Sequence, residues 1–418
     1  MRYLILNRTP LSLFRFADWL GAEHEAVLLT DAAALSADPA ERAAQLAGYA
    51  RVEVVDDFHF NPLVESRALA LHREQSFDRV LAVSEFELLR AARLRELFGV
   101  PGQDVASATA FRDKLAMKDI LSAAGVPVAD YAPVANLADL LGFIDRVGYP
   151  VVVKPRRGGG SMDVRVVRGP QDVESLLGAH RELGADDGGQ LLAERFVEHE
   201  LLHVDGMVVA GETRLMWAST QGETSCLDIK EGRPLHSCLL DPEDPLLEPA
   251  RDLTRRALAA LPTPETSMFH AEVFLATDGS LVFNEVASRA GGGMIEDMVA
   301  LAFGPFLPEL YVRTLAGNEP PVVPSAPDRI AGLSLFPPRP GTLEAIPDEC
   351  PVPGIVAYRR YADPGAELEL SQMSVGKIGS VLATGGSRAE VEKALTEAIT
   401  WFETATVIRS GATQTVLS

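Results

Sequence analysis

The sequence predicts a protein with both α/β and α+β parts, and three observations support this prediction. Strand-like apolar runs alternate with helix-like segments near the amino terminus, which is typical of a parallel α/β layer. A strand, a glycine-rich turn and a second strand follow at residues 151–168. A further strand pair surrounds residues 278–279. Because 418 residues exceed one ordinary core, we expect about two or three domains.

The charge of the chain narrows the classes of partner. There are 59 acidic residues against 38 lysines and arginines, which gives a formal net charge of −21. Such an excess of negative charge argues against binding to nucleic acid or to an anionic membrane surface. We therefore expect small-molecule partners.

The cysteines and the amino terminus indicate the compartment. Cys226, Cys238 and Cys350 are an odd number of thiols without metal-ligand spacing, so neither a disulfide framework nor a cysteine metal site is predicted. The first apolar run is short for a signal peptide, and no run of 18 apolar residues occurs. These features predict a cytoplasmic protein.

The amino-terminal elements read as strands and helices in turn. The runs "YLILN", "VEVVDDF" and "RVLAVSE" predict buried strands of one parallel layer. After a junction near residue 105, apolar residues at helical spacing predict one helix, which Gly125 and Pro127 end. A second helix is predicted in "LADLLGFIDRVGYP" and a third in "DVESLLGAHREL".

The glycine-rich stretch "VVVKPRRGGGSMDVRVVR" has its lysine before the glycines, so it is not the usual phosphate loop that opens a helix. Its glycines lie in a hairpin-like turn and allow a backbone to approach an anion closely. Five basic residues face one acidic residue here, which suits a polyphosphate. The alternative is a surface hairpin with solvated arginines. The residues of interest are Lys154, Gly158, Gly159, Gly160 and Ser161.

Two carboxylates are predicted to face each other in "HAEVFLATDGSLVFNEVASRAGGG". If Asp278 and Gly279 form a two-residue loop, Glu272 lies opposite Glu285 on the neighbouring strand. Facing carboxylates between apolar neighbours require a cation, and Mg²⁺ with nucleotide phosphates is the natural candidate. The alternative is a register shifted by one residue, which would send one glutamate to the other face. Arg289 precedes a run of three glycines, where a guanidinium could meet an anion.

The remaining segments predict a carboxy-terminal part with strands and a closing helix. From about residue 329, "RIAGLSLFPPRPGTLEAIP" and "SVGKIGSVLATG" are strand-like, and "SRAEVEKALTEAITWFET" is helical. No internal repeat is evident.

Six motifs in one order resemble the ATP-grasp superfamily, and in particular its L-amino acid and dipeptide ligases. They are Lys114 in "RDKLAMKDILSAAGVP", Lys154 in "VVVKP", the turn "GGGS", the segment "AERFVEHE", Glu272, and "NEVASRAGGG". The resemblance spans about residues 105–300. It implies an ATP-grasp fold with an amino-terminal α/β domain at 1–105, a central region with the lid at 106–200, and a catalytic domain with a terminal cap at 201–418.

The resemblance also implies nucleotide-binding residues. Lys114 and Lys154 would contact the α- and β-phosphates, and the turn Gly158, Gly159, Gly160 and Ser161 would close over the triphosphate. The segment Glu194, Arg195, Phe196 and Val197 would meet the adenine. Glu200 would hold the ribose, with Glu198 as the alternative.

The implied catalytic centre lies at the metal. Glu272 and Glu285 would bind Mg²⁺ or Mn²⁺, and Arg289 would neutralise an acyl phosphate and the tetrahedral intermediate. Lys154, through its phosphate contact, is the second residue expected to be catalytic. Two departures from the family pattern are Ala287, where many members carry asparagine, and Asp163, where glycine is common in the lid. Whether one or two metal ions bind is left open by Ala287.

By this resemblance we expect an ATP-dependent, ADP-forming carboxylate-amine ligase that joins an amino acid or a similar carboxylate to an amine. A homodimer is also suggested. The alternatives are a purine-biosynthesis type of ligase or carboxylase with the same fold, and a nucleotide-binding regulatory protein without catalysis. His203 and Asp205 in "LLHVDG" are either part of the pocket wall or a pair at a strand end.

Overall fold

The structure is a computed structural model that describes residues 1–179, 190–222 and 224–409. Its amino-terminal part is a four-stranded parallel sheet in the order β3-β2-β1-β4, with helices against it. Its strands are β1 (Arg2–Asn7), β2 (Glu25–Thr30), β3 (Arg51–Val54) and β4 (Arg79–Leu81). Its helices are α1 (Phe16–Leu20), α2 (Pro39–Leu46), α3 (Leu63–Glu74) and α4 (Leu88–Phe98), with a 3₁₀ turn at Ala32–Ala34. The predicted parallel layer is confirmed.

The predicted helix after residue 105 is in fact two helices, α5 (Val105–Arg112) and α6 (Lys114–Ala123). The break lies at Asp113, whose backbone is extended and whose carboxylate accepts a hydrogen bond from the backbone N–H of Leu115. An aspartate in this position satisfies a free N–H at a helix start, which favours a new helix over continuation of the old one. As a result, Lys114 stands at the first turn of α6. Gly125, with φ of 72°, ends the helix as predicted.

A small antiparallel sheet in the order β5-β8-β6-β7 follows, and the glycine-rich turn connects β6 to β7. Its elements are β5 (Tyr131–Val134), α7 (Leu137–Val147), β6 (Val151–Pro155), β7 (Arg165–Val167), α8 (Pro170–Ala179) and β8 (Leu191–Arg195). Helices α7 and α8 share one apolar core with this sheet. The third predicted helix begins as α8, and the end of that prediction, at residues 180–183, lies outside the described residues.

The largest sheet has eight antiparallel strands in the order β13-β12-β9-β10-β11-β14-β18-β16. Beside it lies a three-stranded sheet in the order β17-β15-β19. The strands of both, in chain order, are β9 (His199–Val209), β10 (Glu212–Thr220), β11 (Leu235–Leu239), β12 (Ser267–Ala276), β13 (Leu281–Ala287), β14 (Ile330–Phe336), β15 (Gly341–Ala345), β16 (Ile355–Arg360), β17 (Glu367–Leu368), β18 (Gly379–Gly385) and β19 (Val407–Arg409).

Helices cover the large sheet, and their apolar faces form the main core with it. They are α9 (Cys226–Lys230), α10 (Leu247–Ala260), α11 (Ile295–Phe303), α12 (Leu307–Leu315) and α13 (Arg388–Ala405). The predicted closing helix is α13. Within the described ranges, no helix is both long and apolar enough to span a membrane.

The hairpin of β12 and β13 confirms the facing of Glu272 and Glu285 but corrects its cause. The loop contains three residues, 277–279, because Ala276 donates its N–H to Ser280 and Gly279 donates to Ala276. This shifts the register near the turn by one residue from the predicted two-residue loop. A bulge then inserts Asn284 between the pairs Val273–Phe283 and Glu272–Glu285, which restores the predicted register at the glutamates.

Candidate active site

A cavity of about 440 Å³ lies between the glycine-rich turn and one face of the large sheet. Every residue that the motifs singled out for the site lines this cavity except Glu200. Those that line it are Lys114, Lys154, Gly158, Gly159, Gly160, Ser161, Glu194, Arg195, Phe196, Val197, Glu272, Glu285 and Arg289. The fold thus brings together side chains that are up to 175 positions apart in the chain, from Lys114 to Arg289. Their individual roles stay predictions.

The prediction for Glu200 is wrong. Side chains alternate between the two faces of a strand, and His199 and Leu201 of β9 both line the cavity. Glu200 therefore points to the opposite face, where it is exposed. Glu198, just before the strand, lines the cavity, and ribose binding by Glu198 stays a prediction.

Three charged side chains form a buried ion-pair network under the cavity. The carboxylate of Glu194 lies 3.0 Å from Nζ of Lys154 and 3.2 Å from Nζ of Lys118. Burial by itself would raise the pKa of Glu194, but the two ammonium groups lower it below its usual value. The resemblance implied that Glu194 meets the adenine. In the structure its carboxylate contacts the two lysines and also lines the cavity, and its contact with adenine stays a prediction.

Lys118 was not singled out by the motifs. It is fully buried, and its Nζ also donates to the backbone carbonyl of Asn284 at 3.2 Å. A signal for it existed, because Lys118 follows Lys114 by four positions in a helix and so lies on the same helix face. Burial lowers the pKa of Lys118, and Glu194 opposes that effect only in part.

The facing carboxylates of Glu272 and Glu285 lie in different electrostatic environments. Glu285 lies 3.2 Å from Nζ of Lys114. Burial opposes its ionisation, yet Lys114 and Lys154 lower the pKa of Glu285 to about 2. Burial and the facing Glu285 raise the pKa of Glu272. Asn284 donates from Nδ2 to Glu272 at 2.8 Å. The bulged asparagine therefore orients the carboxylate that the lysines reach least.

This donor set fits a divalent cation. Two carboxylates on adjacent strands offer oxygen ligands, and burial together with the facing Glu285 raises the pKa of Glu272, so a cation between them would be stabilising. Hard cations such as Mg²⁺ prefer such ligands. The asparagine that the family pattern places two residues after Glu285 is Ala287 here, whereas Asn284 supplies an amide one residue before it.

Arg289 is held by a residue from the amino-terminal sheet. Its Nε donates to Glu85, and the guanidinium of Arg112 contacts the other oxygen of the same carboxylate. Burial would raise the pKa of Glu85, but Arg289 and Arg112 lower it. Glu85 was also not singled out. It follows β4 at the carboxyl end of a parallel strand, the edge of an α/β sheet where binding residues collect.

Two histidines and an aspartate lie beneath Arg289. Nδ1 of His270 is 2.8 Å from Asp205, and the rings of His270 and His203 are 4.9 Å apart. Asp205 raises the pKa of His270 against the opposing effect of burial, while burial lowers that of His203 far below its usual value. His203 and Asp205 lie within β9, so the strand-end alternative is wrong, and His203 lines the cavity.

His203, His270 and Glu272 each place one potential ligand atom within 4.8 Å of the others. His270 already pairs with Asp205, and Glu272 already accepts a hydrogen bond from Asn284. His203, His270 and Glu272 together form the polar wall of the cavity.

The glycine-rich turn is fastened on several sides. Gly158 accepts from Nζ of Lys114 at 3.0 Å, Gly160 accepts from the N–H of Ser374 at 3.0 Å, and Ser161 accepts from Nζ of Lys230 at 2.6 Å. Gly160, Ser161 and Asp163 have positive φ angles, a conformation that aspartate tolerates better than most residues. The turn therefore lies closed over the cavity.

Comparison with known proteins agrees with this geometry. Residues 119–294 match the family model of the ATP-grasp domain, and residues 334–403 match that of the L-amino acid ligase C-terminal domain 2. The L-arginine-specific L-amino acid ligase of Bacillus subtilis is 26% identical over 295 residues, which cover 70% of this chain and 71% of the relative. A D-alanine–D-alanine ligase of Geobacter sulfurreducens is 33% identical over 107 residues, or 25% of this chain and 33% of the relative.

Solved structures share the fold. The L-amino acid ligase from Bacillus licheniformis aligns with a TM-score of 0.75 at 20% identity, covering 98% of this chain and 99% of that one. Phosphoribosylglycinamide synthetase from Anaerococcus prevotii aligns with a TM-score of 0.67 at 15% identity, covering 98% of this chain and 99% of that one. This chain is therefore an enzyme that carries an ATP-grasp domain and an L-amino acid ligase C-terminal domain, and it is homologous to the L-amino acid ligases and other carboxylate-amine ligases.

Proposed function

We propose that the enzyme is an ADP-forming amino acid ligase, which activates one amino acid as an acyl phosphate and condenses it with an amine, in the favoured case a second amino acid. The observation that carries the proposal is the cluster around Glu272: a facing carboxylate pair, two lysines (Lys114 and Lys154) and Arg289 all border one cavity beneath a glycine-rich cover. Such an arrangement suits the transfer of a phosphoryl group to an anionic acceptor.

The chemistry would take place in two steps. A carboxylate oxygen of the first amino acid attacks the γ-phosphorus of ATP, and the bond from that phosphorus to the β-phosphate oxygen breaks, so that ADP leaves. The amine nitrogen then attacks the acyl carbon, the carbon–oxygen bond to phosphate breaks, and the nitrogen loses a proton to solvent. The products are an amide, ADP and phosphate.

The side chains of the site have distinct parts in these steps. Lys154 and Lys114 would hold phosphate oxygens, and the ion pair to Glu194 keeps Lys154 ordered before the nucleotide arrives. Arg289 would stabilise the charge that develops on the acyl phosphate, a contribution of about 3 kcal/mol for one well-placed donor. Glu272 and Glu285 would hold Mg²⁺, which when bound neutralises phosphate charge and aligns the γ-phosphoryl group.

The closed glycine-rich turn would protect the acyl phosphate from water. An acyl phosphate is hydrolysed by water, so a ligase gains from a cover that excludes solvent. The contacts of Gly160 with Ser374 and of Ser161 with Lys230 fasten such a cover to the large-sheet side of the cavity.

The experiment is nucleotide turnover with Mg²⁺ and ATP, with amino acids offered singly and in pairs and the product masses recorded. We expect ADP and phosphate together with a condensed mass for particular pairs. AMP and pyrophosphate would contradict the mechanism. Turnover with bicarbonate or a purine precursor in place of amino acids would favour the alternative ligases of the same fold. ATP binding without turnover would favour the regulatory alternative, although both metal-site glutamates and Arg289 are present.

A further inference from the structure

We infer that the amino acid activated at its carboxylate has an uncharged apolar side chain, which binds in an apolar subsite formed by Leu235, Leu333, Leu335, Ile295 and Val375. This inference rests on the proposed function and names the class of its first substrate. The five side chains border the same cavity as the charged cluster, but on the opposite part of its wall.

The wall of the cavity changes character along the large sheet. On β12 and β9 it presents Glu272, His270 and His203, which are charged or polar, beside the apolar Leu201 and Phe274. Two and three strands beyond β9, on β11 and β14, it presents three leucines and Ser237. The nucleotide phosphates and the cation need the polar part. The apolar part serves neither, so it is free for the substrate.

The leucines form one continuous surface because of the strand register. Leu235 pairs with Leu335, and Ser237 pairs with Leu333, so all four side chains stand on the same face of the sheet. The leucines are almost fully buried, with at most 5% of each exposed. Ser237 donates from Oγ to Ser219 at 3.2 Å, so its hydroxyl already has a partner.

The apolar surface begins close to the reacting centre. After Arg289 the chain runs through three glycines to Ile295. A side chain at Gly293 would lie 3.3 Å from Leu335 and 3.4 Å from Val375, so the glycine backbone passes directly along the apolar surface. An amino acid with its carboxylate at Arg289 can therefore place its side chain against the leucines.

A charged side chain would find no counter-charge on the surface of this subsite. Among the described residues that line this part of the wall, none is ionisable. The nearby carboxylate of Glu85 is taken by two arginines, and Glu296, next to Ile295, does not line the cavity. Burying an unpaired charge is costly. A relative described as L-arginine-specific makes arginine the informative competitor.

The test is trapping of the acyl phosphate with hydroxylamine, which replaces the amine and reports only the activated amino acid. Wild-type enzyme with Mg²⁺, ATP and single amino acids should form hydroxamates from leucine, methionine or phenylalanine at least about tenfold faster, in kcat/KM, than from arginine, lysine, aspartate or glutamate. Arginine or an acidic amino acid as the best donor would overturn the inference while the proposed function stands.

Two variants at Val375 test the subsite directly. Val375→Glu, at a partly exposed position, adds a carboxylate to the subsite and should raise the arginine-to-leucine ratio about tenfold or more, whereas Val375→Ile should leave it within about twofold. An unchanged ratio in Val375→Glu that still folds and binds ATP would overturn the assignment of the subsite. Absence of both hydroxamate and ADP for every amino acid, single or paired, would overturn the proposed function and the inference with it.

Discussion

Glu272 and Glu285 lie directly opposite each other on antiparallel strands, and a single bulged residue, Asn284, puts them in register. The same asparagine donates a hydrogen bond to Glu272 and accepts one from Lys154 at 3.4 Å. The residue that sets the pairing of the two carboxylates thus also connects them to the lysine network. Its backbone carbonyl accepts from Lys118 as well.

The first prediction concerns the carboxylate pair. Glu272→Gln and Glu285→Gln should each lower the rate of ADP formation by at least about 100-fold, because each removes a negative charge that a cation needs. Asn284→Ala should mainly raise the Mg²⁺ concentration for half-maximal activity, by about 10- to 100-fold, since it removes the group that orients Glu272. The measurement is ADP release during a Mg²⁺ titration. Glu200→Gln, on the other face of β9, is the matched control, and equal losses in all variants would contradict the prediction.

The second prediction concerns Arg289. Arg289→Lys should reduce kcat by about 10²- to 10³-fold and leave ATP binding nearly unchanged, because a lysine cannot reproduce the planar pair of donors that stabilises an acyl phosphate. Glu85→Gln should reduce kcat less, since it loosens the arginine without removing it. Steady-state kinetics and nucleotide titration separate the two effects. A rise in the KM for ATP alone would show that Arg289 serves binding instead.

The third prediction concerns the buried lysine pair. Lys118→Met should lower the free energy of unfolding by about 3 kcal/mol, because it leaves Glu194 buried with one partner fewer. The measurement is the thermal unfolding midpoint. Glu194→Leu should cost at least as much, because it leaves both Lys154 and Lys118 buried without this carboxylate. The double variant Lys118→Met/Glu194→Leu should therefore lose less than the sum of both single changes, because only Lys154 then lacks its partner. A double variant that loses the full sum would refute this account.

The fourth prediction concerns pH. Asp113 is buried, which alone would raise its pKa, but hydrogen bonds from Arg156 and the charge of Arg157 lower it below the usual value of about 3.9. A depressed pKa in the folded state means that the ionised form contributes stability above about pH 4, and that this contribution is lost as pH falls through the folded pKa. Asp113→Asn should therefore unfold at a lower temperature than wild type at pH 7.

The difference between Asp113→Asn and wild type should shrink below about pH 4. Asparagine can still accept the hydrogen bond from Leu115, so loss of the helix cap does not account for the change. The measurement is the unfolding midpoint of both proteins between pH 7 and pH 3. A difference that stays constant across this range would mean that the charge of Asp113 is not its cause.

The fifth prediction concerns the cover. Lys230→Met removes the hydrogen bond to the backbone oxygen of Ser161, and we expect ADP formation without ligated product to rise about tenfold relative to coupled turnover, because water gains access to the acyl phosphate. The ratio of ADP to condensed product is the readout. Lys393→Met, at an exposed lysine of α13, is the control. Unchanged coupling in Lys230→Met would mean that this contact does not restrain the cover.

Much of the fold could be predicted from the sequence, because periodicity and turn residues are local signals. The parallel layer, the strands on either side of the glycine turn and helix α13 were predicted in this way. The break at Asp113 was missed, since both sides of it continue the same helical spacing. The hairpin loop was also wrong by one residue, and only the bulge at Asn284 restored the pairing of the glutamates.

The residues of the site likewise fall into two groups, those that local sequence patterns mark and those that they do not. The motif residues could be found in order along the chain, whereas Lys118 and Glu85 act through partners that only the fold supplies. Glu200 was chosen by spacing along the chain, but the alternation of β9 turns it to the opposite face. Ion pairs such as Lys118–Glu194 join residues 76 positions apart, and no local pattern marks them.

Glu85 belongs to the first sheet, yet its carboxylate holds the arginine of a site built almost wholly by later segments. The amino-terminal region is consequently not a detachable module. A shortened enzyme that keeps every ATP-grasp motif would leave Arg289 without its tether, and an exchange of this region between related ligases would have to preserve an acid just after β4. Recombination of this enzyme is therefore constrained by one side chain far outside its ATP-grasp motifs.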